Sequence, residues 1–450
     1  MPSHHLSSAA EWRIKSTQPS KVLSSTFEGE QFLFINSEGS SLVFVYRMIS
    51  YTEPEFYQVL PAGVGPEGGL AIPNRGLYIV ASHIDSRSTG VRSSINIYHY
   101  GSKWKKYPTL VSANRSKGST KGSTKGSKSG TGTPIPFSSL SGLAAEIRDR
   151  KSYHIYSVED SFFNKNRIFT IDSSSYPAVI EKETRILDSQ NLLINVTTYG
   201  NFSSEVRRTL VNSDKTVNLD LEGIAVASDG GFWVVSEGAG NVGDASTSLN
   251  LLIKLDKLGV IRNVTALPNS VNDIQVRYGF EGVAEGTGNY TGNVLVIFQR
   301  AWGSELNNRL GWYNVSSGQW KFFYYQVDVL PTVRNSGWVG LTDVAPLCDA
   351  EFLIMEGDNQ AGPDAQVKRL YKIDLENLTE YSIVNKTLVY DLLPPLQKTQ
   401  GLVLGNWEGV ALNARGSLYI VNDNGGIDRS PSEMQMFLVT EGGSLKSQCY

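Results

Sequence analysis

The sequence predicts an all-β fold, a β-propeller, from three observations. Short apolar runs rich in aromatic and β-branched residues alternate with turn residues along most of the chain. The 43 glycines and the aromatic fraction of 10% suit a turn-rich β protein better than a helical one. One two-stranded unit also recurs at intervals of about 55 to 80 residues, and sheets repeated at such intervals are typical of propeller blades.

The clearest copy of the unit lies in the middle of the chain. Residues 219–226 read Leu-Asp-Leu-Glu-Gly-Ile-Ala-Val, and residues 231–237 read Gly-Phe-Trp-Val-Val-Ser-Glu after a turn. This pattern predicts an antiparallel hairpin. In such a pair the start of the first strand lies beside the end of the second, so Glu222 and Glu237 are predicted to be neighbours.

Six copies of the unit are readable, which predicts six four-stranded blades and leaves a seventh open. The shared Gly-aliphatic-small strand is expected to be innermost, because only small residues fit where sheets converge at an axis. First strands are predicted at 66–72, 141–144, 220–226, 280–284, 338–342 and 407–411. Second strands are predicted at 77–82, 153–158, 231–237, 294–298, 351–355 and 417–422.

The chain is assigned to one propeller domain over residues 26–445. Residues 1–25 show no clear pattern and are expected to form a disordered or edge segment. Strands predicted at 31–36, 42–46 and 55–60 lack the unit, so they form either part of a seventh blade or an outer decoration.

Residues 112–134, which repeat Lys-Gly-Ser-Thr, are predicted to be a flexible basic insert. No acidic residue lies between Asp85 and Glu146, whereas ten Lys or Arg do. Contact with phosphates or an anionic surface is one interpretation. A solvated insert is favoured, since such polar tracts bury too little surface to fold. The net charge of −3 gives no indication of nucleic-acid binding.

The sequence gives mixed indications of location. No run of eighteen apolar residues predicts a transmembrane helix, and residues 1–20 lack the apolar core of a signal peptide. Cys348 and Cys449 could pair, but one pair does not identify a compartment. An excess of Asn-x-Ser/Thr sequons favours a secreted, periplasmic or cell-surface protein whose leader is absent from this chain. These sequons begin at Asn114, Asn195, Asn201, Asn263, Asn289, Asn314, Asn377 and Asn385.

Aligning the copies predicts a carboxylate-rich end of the central channel. Like charges this close resist ionising together, which favours shared protons or a bound hard cation such as Ca²⁺. The predicted metal ligands are Glu222, Glu281, Asp343, Glu356 and Glu408. The predicted catalytic residues are Glu159, Glu237, Arg300 and Asp423, with Arg300 binding an anion. Glu67 and His83 of the first copy align with the same end.

A structural interpretation of these acids stays open. Glutamates at the start of first strands could hydrogen-bond the backbone of neighbouring blades, and their recurrence in four of the six copies favours that role. Glu159, Glu237, Arg300 and Asp423 differ from copy to copy, so they are the better functional candidates.

Several copies together resemble the phytase-like domain, also called the "esterase-like activity of phytase" family. The similarity covers about residues 137–440 and is carried by 140–144, 167–172, 221–225, 232–237, 280–284, 406–411 and 419–424. The resemblance implies an extracellular or periplasmic β-propeller with phosphoester or ester hydrolase activity. The basic insert and the missing leader are departures from the family's pattern.

Two functions follow as expectations. The first is a calcium-assisted hydrolase of small phosphorylated or other anionic esters. The alternative is a non-catalytic extracellular propeller that binds a protein or glycan and holds a structural cation. The oligomeric state cannot be read from the sequence.

Overall fold

The computed structural model describes residues 19–86, 91–101, 107–115, 123–127, 133–196, 202–239, 248–332, 337–425 and 434–442. Strands account for 51% and helices for 6%, so the predicted all-β class is confirmed. The longest helix in the described ranges has six residues, and none there combines the length and apolarity that crossing a membrane requires.

The N-terminal part of the described chain forms two antiparallel sheets. The first contains β1 (Pro19–Phe27), β2 (Glu30–Ser37), β3 (Leu42–Ser50) and β4 (Glu53–Pro61). The second contains β5 (Pro66–Ile72), β6 (Leu77–Ser82) and β7 (Ser94–His99), with a short 3-10 helix at Pro73–Arg75. The two sheets share one hydrophobic cluster, in which the rings of Phe34 and Tyr78 stack 4.0 Å apart. We call them the N-terminal sheet pair.

The next sheet is the most elaborate. It contains β8 (Leu110–Ser112), β9 (Asn114–Arg115), β10 (Ser123–Ser127), β11 (Leu140–Ala145), β12 (His154–Glu159), β13 (Arg167–Asp172) and β14 (Ala178–Arg185). Strands β11 to β14 form a consecutive antiparallel meander. Strand β14 also pairs with β8 in parallel and with β10 in antiparallel orientation.

Four further sheets follow, each with its strands in chain order. They are preceded by α1 (Ser204–Thr209). Their strands are β15 (Leu221–Val226), β16 (Phe232–Ser236), β17 (Leu251–Leu255), β18 (Ile261–Ala266), β19 (Phe280–Glu285), β20 (Asn293–Phe298), β21 (Asn308–Asn314), β22 (Gln319–Tyr325), β23 (Val339–Cys348), β24 (Glu351–Asp358), β25 (Lys368–Asp374), β26 (Lys386–Asp391), β27 (Trp407–Leu412), β28 (Leu418–Asn422) and β29 (Met436–Thr440). Two short helices, α2 (Asn269–Asn272) and α3 (Leu393–Gln397), and 3-10 turns at Gly288–Tyr290 and Gly362–Asp364 lie between them.

Five of the seven sheets in the described ranges close a ring around an axis. Their first strands, β11, β15, β19, β23 and β27, contact one another in cyclic order, and β27 returns to β11. Five hydrophobic clusters correspondingly fill the five spaces between neighbouring sheets. The core of the ring is therefore a series of wedges between sheets, as expected of a propeller.

Backbone contact at the axis explains the recurring glycine of the unit. A Cβ built on Gly142 would lie 2.8 Å from Cα of Gly223, and one built on Gly223 would lie 2.8 Å from Cα of Gly282. Real side chains do not tolerate such distances, so these positions require glycine. The glycine of the motif thus lies where the backbones of neighbouring first strands are in contact.

The predicted units are all present as the starts of sheets, and the predicted all-β propeller is confirmed. The ring contains five sheets, however, and not the six four-stranded blades predicted, and its last sheet has three described strands. The copy at β5–β7 packs in the N-terminal sheet pair, while the other five form the ring. Residues 19–25 belong to β1, which is an edge strand; residues 1–18 lie outside the described ranges.

The predicted flexible insert contributes strands. Ser123–Lys125 pairs with β14, and Gly126–Ser127 pairs with Asn114–Arg115. Backbone hydrogen bonds to an edge strand need no apolar side chains, which is why composition alone missed this pairing. Residues 116–122 and 128–132 of the insert lie outside the described ranges. Cys348 is disulfide-bonded. Cys449 lies outside the described ranges.

Candidate active site at the ring axis

Strand register determines which side chains reach the axis. In β15 and β16, Leu221 pairs with Ser236 and Gly223 pairs with Val235, so Glu222 is the extra residue of a β-bulge. In β19, β23 and β27 the extra residue is the one aligned with Glu222, whereas in β11 the extra residue is the following one, Gly142. The residues in the position of Glu222 are Ser141, Glu281, Thr342 and Glu408.

A second set of axial residues follows the last paired residue of each second strand. The amide of Glu237 donates to the carbonyl of Asp220 at 2.8 Å, just beyond the Leu221–Ser236 pair. Asp160 makes the same contact with Ser139 at 3.0 Å, and Asp423 makes it with Asn406 at 2.9 Å. These shared hydrogen bonds identify Asp160, Glu237 and Asp423 as equivalent positions.

Carboxylates from several sheets converge at this end of the axis. Single oxygens of Asp220, Glu222 and Glu237 all lie within 4.8 Å of one another. Glu281 and Glu408 act on the same group, since their negative charges raise the pKa of Glu222. We call Asp220, Glu222, Glu237, Glu281 and Glu408 the axial acid cluster.

The electrostatics of the axial acid cluster oppose ionisation. Burial is the largest cause that raises the pKa of Glu222 and Glu281 well above the usual glutamate value, and the neighbouring carboxylates raise it further. Burial also raises the pKa of Glu237, although the amide of Gly279 donates to its Oε1 at 2.8 Å and favours the charged form. Neutralising these groups requires bound protons or a cation.

Asp160 and Asp423 form a second acidic pair on adjacent sheets. Burial, followed by the negative charge of Asp423, raises the pKa of Asp160 to about 8. The amide of Phe162 donates to Asp160 Oδ1 at 2.6 Å, and the amide of Gly425 donates to Asp423 Oδ1 at 2.7 Å. Burial and the neighbouring like charge therefore both favour the protonated form of Asp160.

Asp343 is part of the ring itself. It stands where the other four first strands of the ring have glycine, and it is fully buried. Its Oδ2 accepts hydrogen bonds from the amides of Val410 at 2.7 Å and Leu143 at 3.1 Å. Burial raises its pKa well above the usual aspartate value. The side chain thus joins three first strands across the axis.

Two predicted site residues lie away from the axial acid cluster. Glu159 is buried in a bidentate pair with Arg167, whose Nε and Nη2 donate at 2.8 and 2.7 Å. Glu356 accepts from Tyr325 Oη and from the amide of Asp328, both at 2.7 Å, and pairs with Lys386. Both residues occupy the strand position of Ser236, one residue before the axial position, and successive strand residues face opposite ways.

Tyr278, whose backbone hydrogen-bonds Glu237, has two arginines beside its ring. The guanidinium of Arg300 lies 5.0 Å from the ring centre of Tyr278 and 4.9 Å from that of Trp338. Arg277 lies 5.4 Å from the same tyrosine ring, and its charge opposes the upward shift in the pKa of Glu237. Lys368 is buried and donates to Asp358 Oδ1 at 2.8 Å.

A cavity of about 230 Å³ adjoins the axial acid cluster. Asp220 and Glu237 line it together with apolar side chains that include Phe163, Phe202 and Leu249. The site therefore combines carboxylates with an apolar space for an organic group. At the opposite end of the axis, residues of all five first strands line a narrow apolar cleft of about 20 Å³.

Most of the residues predicted from the sequence to form the site lie at one end of the ring axis. The structure brings together Glu222, Glu237, Glu281 and Glu408, and it places Asp423 beside Asp160. Arg300 contacts the ring of Tyr278, which is also contacted by Arg277, the arginine whose charge acts on Glu237. Sequence reasoning did not select Asp160 or Asp220. Aligning the copies on the last paired residue of each second strand, and then taking the residue that follows it, would have selected Asp160 in place of Glu159. Glu67 and His83 lie in the N-terminal sheet pair, 3.5 Å apart.

Comparisons with known proteins agree with the extent of the ring. The family model described as "Phytase-like: Esterase-like activity of phytase" matches residues 135–426, which include most of the five-sheet ring. No curated protein matches the sequence.

Solved structures resemble the chain at low identity. Hydrazine synthase of Kuenenia stuttgartiensis is 12% identical, with 94% of this chain and 96% of that chain covered and a TM-score of 0.32. Virginiamycin B lyase of Staphylococcus aureus is 10% identical, with coverage of 95% and 96% and a TM-score of 0.31. The Malassezia sympodialis allergen Mala s 1 is 10% identical, with coverage of 83% and 92% and a TM-score of 0.36.

Proposed function

Because the chain belongs to the phytase-like family described as "esterase-like activity of phytase", we propose that it hydrolyses phosphoester or related ester bonds at the axial acid cluster with Ca²⁺ as cofactor. The observation that carries this proposal is the convergence of Asp220, Glu222 and Glu237, whose oxygens lie within 4.8 Å of one another.

The donor chemistry of the cluster fits calcium. Calcium binds oxygen ligands at about 2.3 to 2.6 Å, so two ligands of one ion lie up to about 5 Å apart. Asp220, Glu222 and Glu237 satisfy that limit, and Glu281 and Glu408 are further oxygen donors nearby. A calcium ion held here would orient a phosphate oxygen and lower the pKa of a bound water.

The chain's own residues supply the remaining functions. Arg300, stacked on two aromatic rings, and the nearby Arg277 bind the anionic group of the substrate. Asp160 holds a proton at neutral pH and delivers it to the leaving-group oxygen, with Asp423 helping to retain that proton. The cavity of about 230 Å³ receives the organic part of the substrate.

One observation favours the alternative, a non-catalytic extracellular propeller with a structural cation that binds a protein or glycan. The same glutamate recurs at equivalent positions in three ring sheets, as Glu222, Glu281 and Glu408. Repeated equivalent ligands suit a cation that holds sheets together.

Turnover separates the two functions. A chromogenic phosphomonoester and a chromogenic carboxylic ester are each incubated with the full chain, in calcium and in chelator. The hydrolase proposal expects product release that requires calcium and falls at least 100-fold in Glu237→Gln and in Arg300→Ala. Glu67→Gln is the matched control, because Glu67 holds the position of Glu222 in the sheet outside the ring.

The outcomes are distinct. Calcium-dependent stabilisation without turnover of any ester would favour the binding protein. Full activity in both Glu237→Gln and Arg300→Ala, with native circular dichroism, would remove the proposed site.

A further inference from the structure

A second cavity lies in the N-terminal sheet pair, outside the ring. Its volume is about 310 Å³, within the range of small-molecule pockets. Aromatic side chains dominate its walls, and both sheets contribute them. They include Phe27, Phe32, Tyr57, Tyr98 and Tyr100.

Three rings form the sides of a cage at this cavity. The ring of Phe32 lies 5.2 Å from that of Tyr57 at an angle of 65°, and 5.9 Å from that of Tyr100 at 59°. Tyr100 also stacks on Phe27 at 5.6 Å. Tyr57 is 41% exposed, so the cage is open to solvent on its side. Ring planes at such angles present both faces and edges to one enclosed ligand.

The charges around the cavity are mainly negative. Glu28 lines it, and Tyr100 Oη donates to Glu30 Oε2 at 3.3 Å. Burial raises the pKa of Tyr100, and the charges of Glu30 and Glu28 add to that shift. Arg47 is already paired with Glu55 at 2.6 Å and with Glu30 at 3.6 Å. Among the described residues, Glu28 makes no ion pair.

We propose that this cavity binds a small organic cation that carries a quaternary or alkylated ammonium group. Aromatic faces attract such a cation through the ring quadrupole, and the apolar walls accommodate its alkyl groups. The carboxylates of Glu28 and Glu30 favour a positive ligand and disfavour an anion. A bare metal ion is excluded, because the aromatic walls offer too few oxygen ligands.

Calorimetry on the full chain tests this proposal with choline and its neutral isostere 3,3-dimethylbutan-1-ol. The two probes share shape and differ in charge. Choline is expected to bind at least tenfold more tightly. Glu28→Gln combined with Glu30→Gln should reduce that preference at least threefold, while Glu53→Gln, an exposed acid in the same sheet, leaves it unchanged.

A second variant tests the cage itself. Tyr100→Leu should lower choline affinity at least tenfold with native circular dichroism, while Tyr51→Leu, at a 94% exposed position, should not. Equal binding of both probes would overturn the cationic ligand. Binding of neither probe to the folded wild-type protein would overturn the site.

Discussion

The same sequence unit occurs in two settings in this molecule, and the comparison separates what is local from what the ring adds. In β15 and in β5, a glutamate precedes a glycine at a bulge between the first and second strands. In the ring, Glu222 lies among four other carboxylates, and its pKa is raised well above the usual value. In β5, the side chain of Glu67 is 65% exposed and lies 3.5 Å from His83. The unit makes a hairpin in both places, whereas only ring closure brings its glutamate together with other carboxylates.

The largest contrast is expected at the last paired residue of the second strand. Glu159→Ala leaves Arg167 buried with only part of its charge compensated, which should cost about 3 to 5 kcal/mol of unfolding free energy. Ser82→Ala, at the same position in β6, removes a hydroxyl that has no hydrogen-bond partner among the described residues and should cost less than about 1 kcal/mol. Urea unfolding of both variants measures the difference. Equal costs would contradict the structural role given to Glu159.

The axial glycine should show the next largest contrast. A Cβ on Gly223 would lie 2.7 Å from the carbonyl oxygen of Glu281, so Gly223→Ala should cost about 2 to 3 kcal/mol through overpacking. In β5, a Cβ on Gly68 has Ala81 Cβ at 3.3 Å as its nearest neighbour, and Gly68→Ala should cost less than about 1 kcal/mol. Both differences in unfolding free energy are measured from urea unfolding midpoints, with the dependence of the free energy on urea concentration unchanged between variants. A small loss of unfolding free energy in Gly223→Ala would mean that the first strands do not touch at the axis.

These pairs show why the sequence predicts the sheets better than the site. Alternating apolar runs and turns define hairpins locally, and they correctly placed Glu222 beside Glu237. The register makes Glu159 the last paired residue of its strand, so strand alternation turns Glu159 toward Arg167 and places Asp160 beside Asp423. Contacts between sheets decide that Glu67 lies outside the ring. Neither kind of information is present in the pattern of a single hairpin.

Stability should depend on pH through the buried acids. A folded-state pKa above the unfolded value means that the native state binds more protons, so the stabilising contribution is complete below about pH 4 and is lost as pH rises. For Asp160, with a pKa of about 8, the window runs from about pH 4 to about pH 8. In chelator, the melting temperature should therefore fall across that window. Asp160→Asn should flatten the profile, and an unchanged profile would contradict the assigned pKa.

The smallest expected effect is neutralisation of single acids without calcium. At pH 8, Glu222→Gln removes the cost of keeping this buried carboxyl either protonated or ionised beside its like-charged neighbours, and it should stabilise the protein by about 1 kcal/mol. Glu67→Gln removes an exposed charge and should change stability by less than about 0.5 kcal/mol. Differential scanning calorimetry in chelator compares the two variants. A destabilised Glu222→Gln would indicate a hydrogen-bonding role between sheets instead.

The most direct test is calcium titration of thermal stability in the wild-type protein and these two variants. Calcium that binds only the folded state at 100 times its dissociation constant stabilises by about 2.7 kcal/mol. We expect this gain in the wild-type protein and in Glu67→Gln, and its loss in Glu222→Gln. An equal gain in all three proteins, or none in the wild-type protein, would contradict a cation site at the ring axis.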